Sequence, residues 1–199
     1  MSISAQQVKK LKDRTGIGLL ECKKALKETD GDIDEAIKSL RKRGIAKAEK
    51  KAGREVDEGL IHSYIHPGGK IGVLVEINCE TDFIAKTDDF KQFAKNIAMH
   101  IAASDPIAVT EEDIAEETIK EEKEIYREKA ESDGKPEDII PKIVNGKIDK
   151  FFQENCLMKQ DYVKDPDISV EEYLKQTIAQ IGENLNIARF TRYKLGEEE

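Results

Sequence analysis

Cysteine is scarce in this sequence: Cys22, Cys79 and Cys156 are an odd number, far apart, and none forms a CxxC pair. That pattern excludes a disulfide framework and a four-cysteine zinc site, and fits reduced thiols. Histidine is equally rare; His62, His66 and His100 contain no HExxH pair. Gly68-Gly69-Lys70 lacks the upstream glycine and the following hydroxyl of a phosphate-binding loop, so the usual signatures of metal or nucleotide enzymes are missing. Tryptophan is absent. No apolar run reaches the length that crosses a bilayer. Met1-Ser2-Ile3-Ser4 lacks the basic and apolar regions of a secretion signal, so a cytoplasmic protein is expected. A basic surplus is missing too. The net charge is −8, which argues against nucleic acid as the main partner, because phosphate binding needs a positive footprint.

Charge itself is abundant, at 37% of residues against 38% hydrophobic in a chain of 199. The few apolar side chains must therefore sit on regular faces. Residues 4 to 44 read as three short helices. Ser4 caps the first, and Thr15-Gly16-Ile17-Gly18 breaks it. The second runs from Leu19 to about Glu28. Asp32 caps the third, with Ile33, Ala36, Ile37 and Leu40 on its buried face and Gly44 placed to end it. From Arg41 to Arg54 only Glu49 opposes seven Lys and Arg; this stretch reads as a solvated helix extension or spacer.

Two strands follow. Glu58–Ile65 leads into the turn His66-Pro67-Gly68-Gly69-Lys70, after which Ile71, Val73, Val75 and Ile77 alternate on one β-branched face. These predict an antiparallel hairpin. Phe90, Phe93, Ala94, Ile97, Ala98 and Ile101 then recur at helical spacing and should cover the sheet. Thr110 is expected to cap a long polar helix to about Ser132. Asp133-Gly134-Lys135-Pro136 turns the chain into a further helix to about Phe152, so residues 111–153 form a helical hairpin too polar for the core. Cys156 to Ile168 reads as irregular, with Asp165-Pro166-Asp167 as a breaker. Ser169 caps a helix to about Glu183, and Leu185–Leu195 reads as a last strand. The fold expected is α+β: a three-helix bundle (1–45), a basic linker (46–55), and a core (56–199) with about three antiparallel strands covered by helices and a protruding helical hairpin.

The connection Asn78-Cys79-Glu80-Thr81-Asp82-Phe83-Ile84-Ala85-Lys86 stands out, because it puts a large ring beside a carboxylate between a strand and a helix. Such loops carry function more often than cores do. On the residues alone Phe83 has two readings: a ring packed beneath its own helix next to Phe90, or a ring presented outward.

Four blocks resemble the bacterial elongation factor Ts family in its short, single-core form. They are Thr15-Gly16-Ile17-Gly18-Leu19-Leu20-Glu21-Cys22-Lys23-Lys24-Ala25-Leu26, then Asn78 to Ala85, then Ile97-Ala98-Met99-His100-Ile101-Ala102-Ala103-Ser104, and Ser132-Asp133-Gly134-Lys135-Pro136. They occur in the family's order. The resemblance implies a guanine nucleotide exchange factor for elongation factor Tu, without catalytic residues or cofactor. It implies that Thr81, Asp82, Phe83 and Ile84 dislodge Mg²⁺ from the GTPase, Phe83 acting as a wedge. It implies that the bundle is UBA-like and docks on the GTPase through Leu19 and Leu20, and that His66 also faces the GTPase. Longer members carry two copies of the hairpin core, one with the Thr-Asp-Phe motif and one with the histidine. This chain carries both on one hairpin, which implies a homodimer in a 2:2 complex with elongation factor Tu, GDP-bound or nucleotide-free. Neither membrane nor direct nucleic-acid binding is expected. Three rival readings are an adaptor for ubiquitin-like partners using residues 1–44, an RNA-binding or chaperone protein using Arg41–Arg54, and a thiol enzyme pairing Cys79 with a histidine.

Overall fold

In the computed structural model, which describes residues 3–197, the helices are α1 (Ala5–Thr15), α2 (Leu19–Glu28), α3 (Ile33–Glu49), α4 (Asp82–Ala85), α5 (Asp88–Ser104), α6 (Glu116–Ser132), α7 (Ile140–Asn155) and α8 (Val170–Ile181). The strands are β1 (Glu58–Ile65), β2 (Ile71–Cys79), β3 (Asp161–Tyr162), β4 (Asp165–Ser169) and β5 (Leu185–Lys194). Of the acidic C-terminal end, Glu198 and Glu199 lie outside the described residues, as do Met1 and Ser2.

Local chemistry sets the bundle's helix ends. The Ser4 hydroxyl accepts the Gln7 N–H at 3.2 Å while the Gln7 carboxamide accepts the Ser4 N–H at 3.0 Å, a reciprocal cap. Gly16, at φ 67°, ends α1 in the left-handed region that costs glycine nothing. The Asp32 carboxylate accepts the N–H groups of Asp34 and Glu35, both at 2.9 Å, and so opens α3. Val8, Leu11, Cys22, Ala25, Leu26, Ala36 and Leu40 form the bundle's own core.

Gly44 does not end α3, contrary to expectation. The helix passes through it to Glu49, and Gly44 is buried where α3 lies against α8. A Cβ there would sit 3.5 Å from the Ala179 Cβ, an ordinary contact. A small residue is what the contact between the two helices has room for, a long-range fact with no local signal. Arg41 adds an ion pair to Asp165 at 3.2 Å, and Ala48 joins the main core.

The main core is a three-stranded antiparallel sheet, order β1-β2-β5, with β2 in the centre. Val73, Val75, Ile77 and Cys79 point from β2 onto Phe90, Phe93, Ala94, Ile97 and Ile101 of α5. The other sheet face carries Ile61, Ile65, Leu74 and Tyr193, all exposed. At Gly59 the strands approach so closely that a Cβ would lie 2.2 Å from the Ile77 carbonyl oxygen, so glycine is required.

Two further expectations need correction. Thr110 caps only a 3-10 turn, Glu111–Asp113, and α6 begins at Glu116. The Asp113 carboxylate folds back to accept the N–H and the hydroxyl of Thr110, at 2.8 and 2.9 Å, and Ile114 leaves the helix in an extended conformation to bury itself. The stretch 156–168 is not irregular either. Leu157–Lys159 makes a 3-10 turn, and β3 and β4 pair antiparallel. A two-stranded ribbon consists only of edges, where Pro166 is tolerated. The ribbon is held by contacts remote in sequence. Tyr162 stacks on Tyr173 at 4.3 Å, and the Val163 N–H donates to His100 Nδ1 at 3.2 Å. His100 Nε2–H then donates to Gln160 Oε1 at 2.9 Å, and burial holds the imidazole pKa below its usual value.

The helical hairpin has a seam of its own. Ala130 of α6 meets Ile140 and Val144 of α7 near the turn, and Ile119 packs near Ile148 and Phe152 at the base, an antiparallel match. Cys156, fully buried, closes that base beside Ala108.

Gly44→Ala should raise the unfolding free energy by ~0.5–1 kcal/mol, because it removes a glycine from a helix interior without a clash. Gly44→Leu should lower it by ~1–3 kcal/mol through overpacking against α8. Urea unfolding of the two variants checks the sign of each.

Candidate functional site

The connection between β2 and α5 is built by caps. Cys79 closes β2, and its thiol donates to the Thr81 carbonyl at 3.1 Å. Thr81 is extended (φ −134°, ψ 152°) and precedes the single turn of α4. Thr87 closes that turn, with its N–H and hydroxyl both reaching the Ile84 carbonyl, at 3.0 and 2.8 Å. The same hydroxyl accepts the Phe90 N–H at 3.3 Å and starts α5.

Successive side chains on one helical turn diverge by about 100°. Ile84 therefore turns into the main core, while Phe83 turns outward and is 77% exposed. The inward reading of the ring does not hold, since the ring lies largely in solvent and the buried aromatic there is Phe90. Asp82 pairs with Lys86 along the same turn, and the Lys86 ammonium lies 6.0 Å from the centre of the Phe83 ring. Hydrogen bonding to Asp82 raises the Lys86 pKa.

The turn is held from the far end of the chain. Glu183, just after α8, accepts both the Thr81 N–H at 3.0 Å and the Thr81 hydroxyl at 2.8 Å. Glu80 accepts the Asn184 N–H at 2.6 Å and the Arg54 guanidinium at 3.4 Å. The Asn184 N–H, with Arg54 beside it, holds the Glu80 carboxyl below its usual pKa. The Asn184 side chain donates to the Arg54 carbonyl at 3.0 Å, and Lys51 donates to the Gly182 carbonyl. Sequence reasoning did not find Glu183, Asn184 or Arg54. Gly182-Glu183-Asn184 reads locally as a helix end, and its partners lie about a hundred residues away.

The remaining candidates are dispersed. His66 is exposed at the β1–β2 turn; its N–H donates to the Ile71 carbonyl at 2.9 Å, and Tyr64 Oη lies 3.1 Å from its Nδ1. The nine residues of β2 separate His66 from Phe83, roughly 26 Å at about 3.3 Å per residue. One chain does not bring them together. Leu19 and Leu20 are 53% and 85% exposed on the first turn of α2, so neither fills the bundle core. They border a groove with Val8, Lys12 and Lys23.

A family profile described as Elongation factor TS matches residues 2–197. Similar curated proteins carry the name Elongation factor Ts. One from Desulfosudis oleivorans is 54% identical over 196 residues, covering 98% of this chain and 99% of that protein. One from Geobacter sulfurreducens is 57% identical over 197 residues, 99% of this chain and 91% of that protein. One from Fervidobacterium nodosum is 54% identical over 197 residues, 99% of this chain and all of that protein.

Among the described residues no group of His, Cys, Asp or Glu is arranged to hold a metal, and no helix is long and apolar enough to cross a membrane. All three cysteines are buried. Burial pushes the thiols of Cys79 and Cys156 above their usual pKa, and Glu183 adds to the effect at Cys79. An activated nucleophile needs the opposite shift. Native protein at neutral pH should therefore react with a disulfide reagent at least ~10-fold more slowly than a free thiol, and all three cysteines should become reactive on denaturation. Stoichiometric, rapid labelling of native Cys79 would revive the thiol-enzyme reading.

Proposed function

Because the chain belongs to the elongation factor Ts family, we propose that it acts as a guanine nucleotide exchange factor on elongation factor Tu during translation elongation. The observation that carries this reading is the exposed Phe83 on a turn fixed at both ends. A GTPase holds its nucleotide through backbone N–H groups and a Mg²⁺ ion that bridges the phosphates. A factor that prefers the nucleotide-free state lowers nucleotide affinity by the same coupling free energy, since binding linkage is reciprocal. Phe83 enters the GTPase as an apolar wedge on the Mg²⁺ side of the site. Asp82 is the polar neighbour at its entrance. Thr81 and Ile84 fix the turn to the protein body, so the wedge pushes on the partner instead of folding back. No covalent bond changes, so no catalytic residue and no cofactor is required.

Residues 1–45 dock on the GTPase with Leu19 and Leu20, and residues 56–199 carry out exchange. The part between, 46–55, begins as the last turn of α3. The protein works as a homodimer in a 2:2 complex. His66 and Phe83 sit at opposite ends of β2, so a second protomer is what brings a histidine near the wedge of the first. The uncovered sheet face, with Ile61, Ile65, Leu74 and Tyr193 exposed, supplies an apolar surface of the kind that marks protein interfaces. The protein acts in the cytoplasm, with no membrane contact and no direct nucleic-acid contact.

Release of fluorescent GDP from elongation factor Tu tests the activity. The wild type should accelerate release strongly; an unchanged rate removes the reading. Burying an aromatic ring contributes ~1.5–3 kcal/mol, so Phe83→Ala should slow the accelerated release by ~10–100-fold. Its unfolding free energy should move by less than ~0.5 kcal/mol, as for other exposed positions. Light scattering should give a mass near twice the 22.4 kDa of one chain; a mass near 22.4 kDa counts against the dimer.

A further inference from the structure

A helix of four residues cannot hold itself, because nucleating a turn fixes several dihedrals for one hydrogen bond. The N-cap of α4 is closed by a long bond from the Ala85 N–H to the Thr81 carbonyl, at 3.3 Å, the Lys86 N–H reaches the Ile84 carbonyl at the other end, and none of its residues is fully buried. Something outside α4 must fix the direction in which Phe83 points. Thr87 does so at the C-terminal end. At the N-terminal end the device is a crossed pair of carboxylates. Glu183 takes both donors of Thr81, and Glu80, next to Thr81, takes the backbone N–H of Asn184, next to Glu183. Each segment caps the other's backbone. Gly182, at φ 92°, gives the backbone turn that brings Glu183 there.

We infer that Glu183 is a positioning residue for nucleotide exchange, holding the Thr81–Phe83 turn in the orientation that presents the wedge. The inference rests on the exchange reading above and adds a residue to it. The segment between α3 and β1 brings positive charge to this crossing. Arg54 lies against Glu80, and Lys51 reaches the Gly182 carbonyl. That segment continues directly from α3 of the docking bundle. The stretch that reads as a solvated spacer is thus the third member of the clamp, and ties the position of the bundle to the position of Phe83.

The geometry also dictates which substitution should preserve the clamp. In Glu183→Gln the side-chain oxygen still accepts the Thr81 N–H, and the new NH₂ donates to the Thr81 hydroxyl, which rotates to accept. Both contacts survive without the charge. Glu183→Ala loses both and leaves the Thr81 N–H without its partner.

Two readouts on the full chain test this. The first is chymotryptic cleavage of the free protein after Phe83, followed by mass spectrometry of the fragment ending there. The second is the maximal rate of GDP release at saturating factor, taken separately from the half-saturating concentration. Glu183→Ala should raise cleavage and lower the maximal release rate by roughly tenfold each, about the worth of one charge-assisted hydrogen bond. Glu183→Gln should stay within about threefold of the wild type in both, less than one neutral hydrogen bond. In a Phe83→Ala background, Glu183→Ala should cause no further loss of release, since the residue acts through the ring. Wild-type values for Glu183→Ala in both readouts, or a loss that adds in full to that of Phe83→Ala, overturn the inference. Should Glu183→Ala fail to fold, Glu183→Asp falls one methylene short of Thr81 and takes its place with the same expected pattern. If the wild type releases no GDP, the exchange reading fails, and cleavage after Phe83 alone decides whether Glu183 holds the turn.

Discussion

The structure depends on β2 being paired on both edges and buried on one face only. Hydrogen bonds to β1 and β5 fix its position, and Val73, Val75, Ile77 and Cys79 anchor it on α5. Because side chains alternate with a period of two, burying one face leaves the other bare unless something else covers it. Nothing in the described chain covers Leu74 or its neighbours Ile61 and Tyr193. The same rigidity separates the strand's ends. The hairpin turn with His66 and the cap with Phe83 are held apart by the full length of β2, and a rigid paired strand does not bend to bring them together. The proposed homodimer draws on this constraint, because only a second protomer can bring a histidine to the ring that its own chain holds away.

A second contact decides how the bundle relates to the sheet. The bundle has its own core of seven buried side chains, small enough to be marginal by itself. It is not left on a flexible spacer. At Gly44 α3 lies directly on α8, Arg41 pairs with Asp165, and Ala48 enters the main core. Beyond Glu49, Lys51 reaches the Gly182 carbonyl and Arg54 lies against Glu80. Four of the seven basic residues, Arg41, Arg43, Lys51 and Arg54, meet a carboxylate or a carbonyl inside the fold, which weakens the nucleic-acid reading of that stretch.

Much of this fold was legible because its determinants are local. The caps at Ser4, Asp32 and Ser169, the β-branched alternation from Ile71 to Ile77 and the left-handed turns at Gly16 and Gly182 are decided within a few residues. The hairpin, the three antiparallel strands and the helix over them follow from such signals. The misreadings share one cause. Gly44 has a cap's composition but a packing role set by Ala179. Asp165-Pro166-Asp167 has a breaker's composition, but Tyr162 and Val163 are held by Tyr173 and His100. Thr110 carries a genuine capping box, yet the burial of Ile114 overrides it after a single 3-10 turn. In each case a tertiary contact outweighs a propensity worth a fraction of a kcal/mol to about one kcal/mol.

The site divides along the same line. That a ring sits in the β2–α5 connection was visible from the end of one pattern and the start of the next. That the ring points outward was not, because it depends on which side of one helical turn faces the core, and Ile84 takes that side. That the turn is held by Glu183 could not be read at all, since one carboxylate in a chain with 41 acidic residues carries no mark of its partner. The energetic consequence is what matters for a wedge. A flexible loop would have to lose conformational freedom on docking, at ~1–2 kcal/mol per residue ordered. A turn already fixed by Thr87, Ile84 and the crossed carboxylates has lost that freedom during folding. More of the free energy released when the ring is buried is then available to oppose nucleotide binding, which is the condition for a factor that must loosen a tight ligand without breaking a bond.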